Sequence, residues 1–229
     1  MNNLIELFEE FEYHLINDYK PSDYFIKVIK EKEYRDCYPV KILLDLKRIQ
    51  QNPKHHPEGN VFNHTMEVVD NAAKISNISS DKRVFMWASL LHDLGKITAT
   101  KIRKGRITAY DHDKQGEVIA KTFLETFSDD NEFISKVSKL VRWHMQPLFV
   151  AKKMPFATVE DMIAETSISE VALLCICDRT GRGPISREVE KKEHLIVLDF
   201  LLECYDKVMD DEEVAKLDKI IEYLRQFDI

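Results

Sequence analysis

The chain has 229 residues, of which 44% are hydrophobic and 32% charged, and its formal net charge is −7. This length supports one sizeable hydrophobic core, and the composition is ordinary for a globular domain. The negative charge argues against tight non-specific binding of nucleic acid or anionic membrane, although a local basic cleft can still bind a phosphate. With only 6 glycines and 7 prolines, long helices are expected.

The N-terminal residues, MNNLIELFEEFEY, carry acidic side chains and lack the basic segment and long apolar run of a signal peptide. No stretch of the sequence approaches the length of a membrane span. We therefore expect a cytoplasmic protein without a membrane partner. Its four cysteines are expected to be free, buried thiols, as is usual in a reducing compartment.

Helical periodicity dominates the chain. An amphipathic N-terminal segment precedes a charged stretch at residues 30–36, the one weak candidate for a domain boundary. The pattern predicts a helix capped by Asn63 that runs to about Ser76. The next helix is expected to begin after Ser80 and to end near Gly95, with that glycine as a left-handed C-terminal cap.

Residues 97–110, ITATKIRKGRITAY, interrupt the helical pattern. β-Branched residues alternate around Lys104-Gly105, which predicts a short two-stranded hairpin. Further helices are expected at about residues 113–127, 131–145, 158–165, 169–180, 187–209 and 211–227, with N-caps at Asp113, Asn131, Thr158 and Ser169. The predicted fold class is all-α, a helical bundle with one short β-hairpin near residues 97–110.

The segment LLHDLGK, residues 90–96, carries the most chemical information. His92 and Asp93 offer nitrogen and oxygen ligands to one divalent cation, and a helix end relaxes the roughly 100° between successive side chains. Asp178 follows Leu174 by four residues on a predicted buried stripe, where a carboxylate must be protonated, paired or bound to a metal. His64 near the start of its helix is a third candidate ligand, with a partly exposed surface residue as the alternative.

Two more histidines are candidate ligands. Val137, Leu140 and Val141 place His144 on the apolar side of its helix, where a hydrogen-bonded core histidine is an equal alternative. His112 precedes a predicted helix, and an ordinary loop histidine is the competing interpretation.

The order of His64, His92-Asp93 and Asp178 resembles the H…HD…D motif of the HD superfamily of metal-dependent phosphohydrolases. Within that superfamily, the chain is most similar to the HD domain of bacterial CCA-adding tRNA nucleotidyltransferases. The matching pieces cover residues 45–185: HHPEG at 55–59 leading to His64-Thr65, the doublet, His112 with Gly116, Trp143-His144, and CDRTGR at 177–182. This resemblance divides the chain into an N-terminal helical extension (1–40), an HD domain core (41–185) and C-terminal helices that pack on the same domain (186–229).

The resemblance implies an all-helical fold whose four motif residues bind one metal ion: His64, His92, Asp93 and Asp178. Some relatives hold a second ion with additional histidines and use the doublet aspartate as a bridge, and His112 and His144 match two of those positions. Some two-metal relatives carry a histidine pair where this chain has His144-Met145, so one ion and two ions both stay open.

Mixed imidazole and carboxylate ligands suit Mn, Fe, Co, Ni or Zn better than Ca, and Mg is a further candidate. Such an ion at Asp93 lowers the pKa of its water toward about 7 and can contact a phosphoryl oxygen. Lys96 is placed to offer a positive charge to the phosphate, and Arg179 and Arg182 are candidates to assist it. For each of these cations, a solvated or salt-bridged residue is the alternative.

The first functional hypothesis is metal-dependent hydrolysis of a nucleotide phosphomonoester or cyclic phosphodiester, because related HD domains are associated with 2′,3′-cyclic phosphodiesterase and phosphatase activity. The alternatives are a di-iron oxygenase and a nucleotide-binding regulatory module without turnover. The expected partner is a small phosphorylated substrate, a nucleotide. An RNA end has less support, since 229 residues leave no room for the nucleotidyltransferase domain of the related proteins. The oligomeric state stays open.

Overall fold

The structure, a computed structural model, describes residues 2–54 and 56–227, so His55 of the predicted motif lies outside the described residues. The helices are Asn2–Asn17 (α1), Ser22–Val28 (α2), Tyr38–Arg48 (α3), Val61–Ile75 (α4), Lys82–Leu91 (α5), Lys96–Ala99 (α6), His112–Glu125 (α7), Asn131–Trp143 (α8), Gln146–Ala151 (α9), Val159–Ile163 (α10), Ile168–Thr180 (α11), Arg187–Tyr205 (α12) and Asp211–Arg225 (α13). Strands Lys101–Arg103 (β1) and Arg106–Thr108 (β2) pair antiparallel. The prediction of an all-α fold with one short hairpin is confirmed.

Helix α11 lies at the centre of the bundle. All of its residues from Ile168 to Arg179 are buried, because α4, α5, α12 and α13 pack around it. Its apolar residues occupy every side, and a helix of this kind is stable only in such an interior position. Apolar side chains from α1 to α13 join one core cluster, which includes Phe11, Trp87 and Leu224. The division of the chain at residues 40 and 185 stays a prediction.

The hairpin is shorter than predicted, because Ile97 and Thr98 belong to helix α6. The N–H of Lys96 bonds to the carbonyl of Asp93 (3.0 Å) and that of Ala99 to the carbonyl of Gly95 (2.9 Å). Packing of α6 against α7 outweighs the β propensity of its branched residues. Lys104 and Gly105 both have positive φ, 49° and 73°, as a tight two-residue hairpin turn requires.

Five of the six predicted N-caps lie one to three residues from the observed ones. Asn60 rather than Asn63 caps α4, accepting a hydrogen bond from the Asn63 N–H at 2.9 Å. A capping residue must have non-helical dihedrals, and Asn63 already lies inside the helix. The same reason applies to Asp111 for Asp113, Asp130 for Asn131, and Ser167 for Ser169. Ser80 instead lies one residue too early, and Asp81 caps α5 by accepting a hydrogen bond from the Val84 N–H. Thr158 is the N-cap of α10 as predicted, without a side-chain bond.

The sequence pattern did not predict helix α9. This helix has a proline in its first turn, a position where the missing N–H costs nothing. Across the described ranges, no helix combines the length and the apolarity needed to cross a bilayer.

Candidate metal centre

The six predicted ligands come from separate elements and meet in one buried cluster. They lie in the first turn of α4 (His64), in the turn after α5 (His92 and Asp93), at the start of α7 (His112), directly after α8 (His144) and near the end of α11 (Asp178). All six are buried. So many titratable groups in the interior carry a large desolvation cost unless they are paired or coordinate a cation.

Asp93 lies between two groups of histidines. Its Oδ2 atom is 3.4 Å from Nε2 of His92 and 3.7 Å from Nε2 of His64, whereas its Oδ1 atom is 3.5 Å from Nε2 of His112. His144 joins the second side, with its Nε2 atom 3.2 Å from that of His112. In each group the potential ligand atoms lie within 4.8 Å of one another, and Asp93 belongs to both.

Asp178 extends the first group. Its Oδ1 atom lies 3.0 Å from Nε2 of His64. The same oxygen atom lies 3.9 Å from an Nη2 atom of Arg182. The structure therefore brings Asp178 and Arg182 to the cluster together.

Backbone carbonyls orient all four histidines. Each Nδ1 atom lies within hydrogen-bond distance of a carbonyl oxygen: 2.7 Å for His64 and Gly181, 2.9 Å for His92 and Ser89, 2.8 Å for His112 and Ala109, and 2.6 Å for His144 and Val141. A carbonyl only accepts, so each Nδ1 donates and each Nε2 faces the cluster. Histidines that ligate metals are oriented in this way.

The donor set fits a divalent cation. With both Nδ1 atoms donating, neutral His112 and His144 face each other through two lone pairs that cannot hydrogen-bond, and a shared cation satisfies both. Oδ2 of Asp93 is buried without a hydrogen bond, although the Lys96 ammonium lies 2.7 Å away as an ion pair. Imidazole and carboxylate donors together suit transition metals.

Burial and charge set different protonation states within the cluster. Burial lowers the pKa of His144 to about 4 and also lowers the pKa of His112, so both imidazoles are neutral at pH 7. Burial opposes a charge on His64 too, but hydrogen bonds to Asp178 and Glu58 outweigh it and raise the pKa of His64 to about 9. A proton therefore competes with a cation for Nε2 of His64.

Both carboxylates of the cluster are ionised. Burial alone raises the pKa of Asp93, but the charges of Lys96 and His92 outweigh it and hold that pKa well below its usual range. The pKa of Asp178 is lowered in the same way, against the effect of burial, by its hydrogen bond to His64 and by the charge of Arg182. The cluster thus holds two negative charges for a cation.

The predicted phosphate-binding cations separate into two kinds. Lys96 lies at the cluster, and its Nζ atom also donates to Oε1 of Gln51 at 2.7 Å. Arg182 lies at the cluster as well, and its Nε atom is buried without a hydrogen-bond partner. Arg179, by contrast, forms an ion pair with Glu193 of α12. One residue along a helix turns the side chain by about 100°, which directs Arg179 away from Asp178.

Glu58 is a residue of the site to which the sequence pattern assigned no role. Its Oε1 atom lies 2.8 Å from Nδ1 of His56 and 3.2 Å from Nδ1 of His64. Burial raises its pKa, but these two hydrogen bonds outweigh burial and lower the pKa to about 2. The segment around Glu58 is a turn without periodicity, and the family resemblance was the only signal that pointed to it.

Gly95 lets the turn after α5 approach α7. A β-carbon at Gly95 would lie 1.9 Å from the carbonyl oxygen of His112 and 2.5 Å from the backbone nitrogen of Gly116. The predicted left-handed cap is wrong, because Gly95 has a right-handed φ of −63°. Close approach of two backbones, rather than positive φ, requires glycine here, and it brings Asp93 beside His112.

Comparisons with known proteins identify the family of the chain. The family model described as the HD domain matches residues 61–183, more than half of the chain, including all six clustered residues. A Multifunctional CCA protein of Methylococcus capsulatus is 30% identical over 176 residues, covering 71% of this chain and 38% of that protein. Proteins of the same name from Pseudomonas fluorescens (26% identical, 72% of this chain, 40% of the relative) and Halorhodospira halophila (29%, 59% and 32%) are also similar.

The chain spans two fifths or less of the length of these relatives. The resemblance inferred from the H…HD…D motif is confirmed by the family match. The chain belongs to the HD domain family.

Proposed function

We propose that the chain is a metal-dependent phosphohydrolase that acts on a nucleotide phosphomonoester or a cyclic phosphodiester. One observation carries the proposal: the Asp93 carboxylate faces histidines on both sides, and the Lys96 ammonium lies 2.7 Å from its Oδ2 atom. Membership of the HD domain family supports metal-dependent hydrolysis. Similarity to Multifunctional CCA proteins supports a nucleotide or an RNA end as the substrate.

In this proposal the two groups of donors each hold one divalent cation. The first group is His64, His92, Asp93 and Asp178, and the second is Asp93, His112 and His144. Mn, Fe, Co, Ni or Zn suits these donors, with Mg as a further candidate. A bound cation of this kind lowers the pKa of a coordinated water and withdraws electron density from a phosphoryl oxygen.

Lys96 and Arg182 bind and orient the phosphate in this proposal. Each presents N–H donors to anionic oxygens, and such charge-assisted hydrogen bonds are about twice as strong as neutral ones. The contacts of Lys96 with Gln51 and Asp93 hold its ammonium in place. Because the site is largely buried, the two cations also stabilise charge that develops on the phosphate more strongly than they would in water.

Lys96 and Arg182 favour an anionic ligand. A phosphohydrolase and a nucleotide-binding module without turnover both need this, so the two cations do not distinguish them. Product formation distinguishes the enzyme from a regulatory module that binds nucleotides. Iron content and oxygen uptake distinguish both from a di-iron oxygenase.

The test uses protein stripped with EDTA and reloaded in turn with each of the six metals. The substrates are 2′,3′-cyclic AMP and the 2′-, 3′- and 5′-monophosphates of adenosine. Chromatography detects the products of the cyclic substrate, and phosphate release detects hydrolysis of the monophosphates. Turnover is expected with at least one metal, and is expected to disappear in Asp93→Ala but not in Asp199→Ala, a matched change at an exposed aspartate of α12. Turnover no higher than that of Asp93→Ala with every metal would contradict the proposal.

A further inference from the structure

The β1–β2 hairpin concentrates positive charge in a chain whose net charge is −7. Lys101, Arg103, Lys104 and Arg106 fall within six residues and are all exposed. Within the described part of the chain, no carboxylate forms an ion pair with any of them. Four neighbouring cations without counter-charges form a surface suited to a polyanion.

The strand register places three of these four charges on one face. Arg103 pairs directly with Arg106, and Lys101 pairs with Thr108. Residues two apart share a face of a strand, so three of the cations project together. Like charges directly opposite each other destabilise a hairpin, and a bound row of phosphates would remove that cost.

An aromatic side chain stands beside this basic face. Tyr110 lies two residues after the end of the second strand, and its side chain is 63% exposed. The guanidinium carbon of Arg103 lies 5.1 Å from the centroid of the Tyr110 ring. Basic side chains with an exposed aromatic ring are the combination that binds single-stranded nucleic acid, because the ring stacks on a base while the cations contact phosphates.

The base of the hairpin is attached to the metal centre. Lys96, whose ammonium contacts Asp93, begins the short helix that leads into β1, and β2 leads to Ala109, whose carbonyl accepts a hydrogen bond from His112 (2.8 Å). Three residues of strand extend about 10 Å. The end of a nucleic-acid strand bound along the hairpin is therefore within reach of the cluster.

We propose that the β1–β2 hairpin binds the phosphodiester backbone of a single-stranded nucleic acid and directs its terminal nucleotide to the metal centre. The placement of the terminal nucleotide rests on the proposed function, whereas the backbone contact requires no turnover. Nucleic acid fits better than an acidic peptide, because a peptide would leave the exposed ring of Tyr110 without a stacking partner.

Fluorescence anisotropy of a labelled 12-nucleotide RNA with hydroxyl ends tests the backbone contact. This probe offers no terminal phosphate for hydrolysis. Changing Lys101, Arg103, Lys104 and Arg106 together to Ala is expected to weaken binding at least tenfold. The slope of log affinity against log salt concentration should also become less negative by about 2 to 3, because each lost phosphate contact contributes about 0.7 to this slope. The control changes four exposed cations elsewhere, Lys27, Lys30, Lys32 and Arg35, to Ala, and is expected to bind like wild type.

Stacking on Tyr110 is tested separately. Tyr110→Ala is expected to weaken RNA binding about fivefold or more, and Tyr110→Phe is expected to retain it, because stacking contributes at least about 1 kcal/mol per base. Competition with single-stranded DNA of equal length tests whether the sugar matters, and polyglutamate of equal charge tests for an acidic peptide. The proposal is overturned if the hairpin variant binds RNA like wild type, or if polyglutamate displaces RNA as well as unlabelled RNA does.

Turnover of 2′,3′-cyclic AMP by the same variants separates the two proposals. The hairpin variant is expected to hydrolyse this small substrate at the wild-type rate. RNA binding that depends on the hairpin, without any nucleotide turnover, would overturn the proposed function alone. Turnover of the small substrate, with RNA affinity unaffected by the hairpin, would overturn the hairpin proposal alone.

Discussion

Gly95 and His112 are in direct backbone contact: a β-carbon on Gly95 would lie 1.9 Å from the carbonyl oxygen of His112. This contact joins the turn that carries Asp93 to the helix that begins with His112. The two groups of donors share Asp93, so the contact fixes the spacing between the groups.

Gly95→Ala is therefore expected to separate His112 from Asp93. The added methyl group forces the backbone to shift. The free energy of unfolding should therefore fall by about 1–3 kcal/mol or more, the typical cost of overpacking. Gly116→Ala is the comparison, because its β-carbon would meet the Val141 side chain at 3.1 Å, which can adjust. Thermal unfolding and metal content per chain are measured. Equal losses in the two variants would show that the contact has no special role.

Most of the long helices could be predicted from the sequence, but most of their first residues could not. Periodicity predicted the interior of α4, because burial of one face requires it. Helix α11 is buried on every side, and its long apolar run indicated an interior helix. Several polar residues adjoin each helix start, and the residue whose backbone is not yet helical acts as the cap. Asn60, with ψ of 165°, therefore caps α4 in place of Asn63.

The residues that meet in the candidate cluster could be predicted where they lie on or next to helices. His92, Asp93 and Asp178 stand at positions where a buried polar group requires an explanation. Glu58 lies in a turn, where no repeat reveals burial. Arg179 and Arg182 could not be distinguished from sequence either, because only the position of Glu193 on α12 decides which arginine is already paired.

The two-ion arrangement predicts a stoichiometry for His144→Ala. Removal of Nε2 of His144 leaves His112 and Asp93 as the second group, so we expect metal content to fall from about two ions per chain to about one. The first group, with His64 and His92, should retain its ion. His194→Ala is the control, because His194 is equally buried but lies outside the cluster. Elemental analysis after dialysis gives the counts, and an unchanged content in His144→Ala would contradict the two-ion arrangement.

Lys96 is expected to act on the phosphate rather than on the metal. Lys96→Met should lower kcat/KM by about 100- to 1000-fold, the range seen when one donor to a developing anion is removed, while metal content is retained. Lys96→Arg should recover part of the loss because it restores the charge. Lys74→Met, at an exposed lysine of α4, is the matched control. A variant that loses its metal and its activity in parallel would argue for a structural role of Lys96.

Arg179 and Arg182 are expected to have opposite effects. Arg179→Met leaves Glu193 without its partner and should cost up to about 3 kcal/mol of stability, with kcat/KM of the folded protein little changed. Arg182→Met should lower kcat/KM with a smaller loss of stability. Denaturant unfolding and steady-state kinetics measure the two quantities. In the double variant Arg179→Met/Glu193→Gln, most of the stability should return, and its failure to return would refute the ion-pair explanation.

Burial of His194, which lies outside the metal centre, is expected to make the stability of the fold depend on pH. Burial lowers its pKa from 6.5 to about 4, so the unfolded chain binds the proton more readily than the folded protein. The neutral form is compatible with the fold above pH 6.5, and stability is lost as pH falls from 6.5 towards 4. His194→Phe should remove this part of the slope in unfolding experiments. An identical slope in the variant and in wild type would show that His194 does not titrate as stated.

The most direct test of the metal centre is anomalous diffraction from crystals of the protein soaked in Mn²⁺ and a phosphate analogue. We predict two peaks, one on the side of Asp93 that faces His64 and His92 and one on the side that faces His112 and His144, with the analogue beside Lys96. A map without a peak among these residues, from protein that binds Mn²⁺ in solution, would contradict the assignment of this cluster as the metal centre.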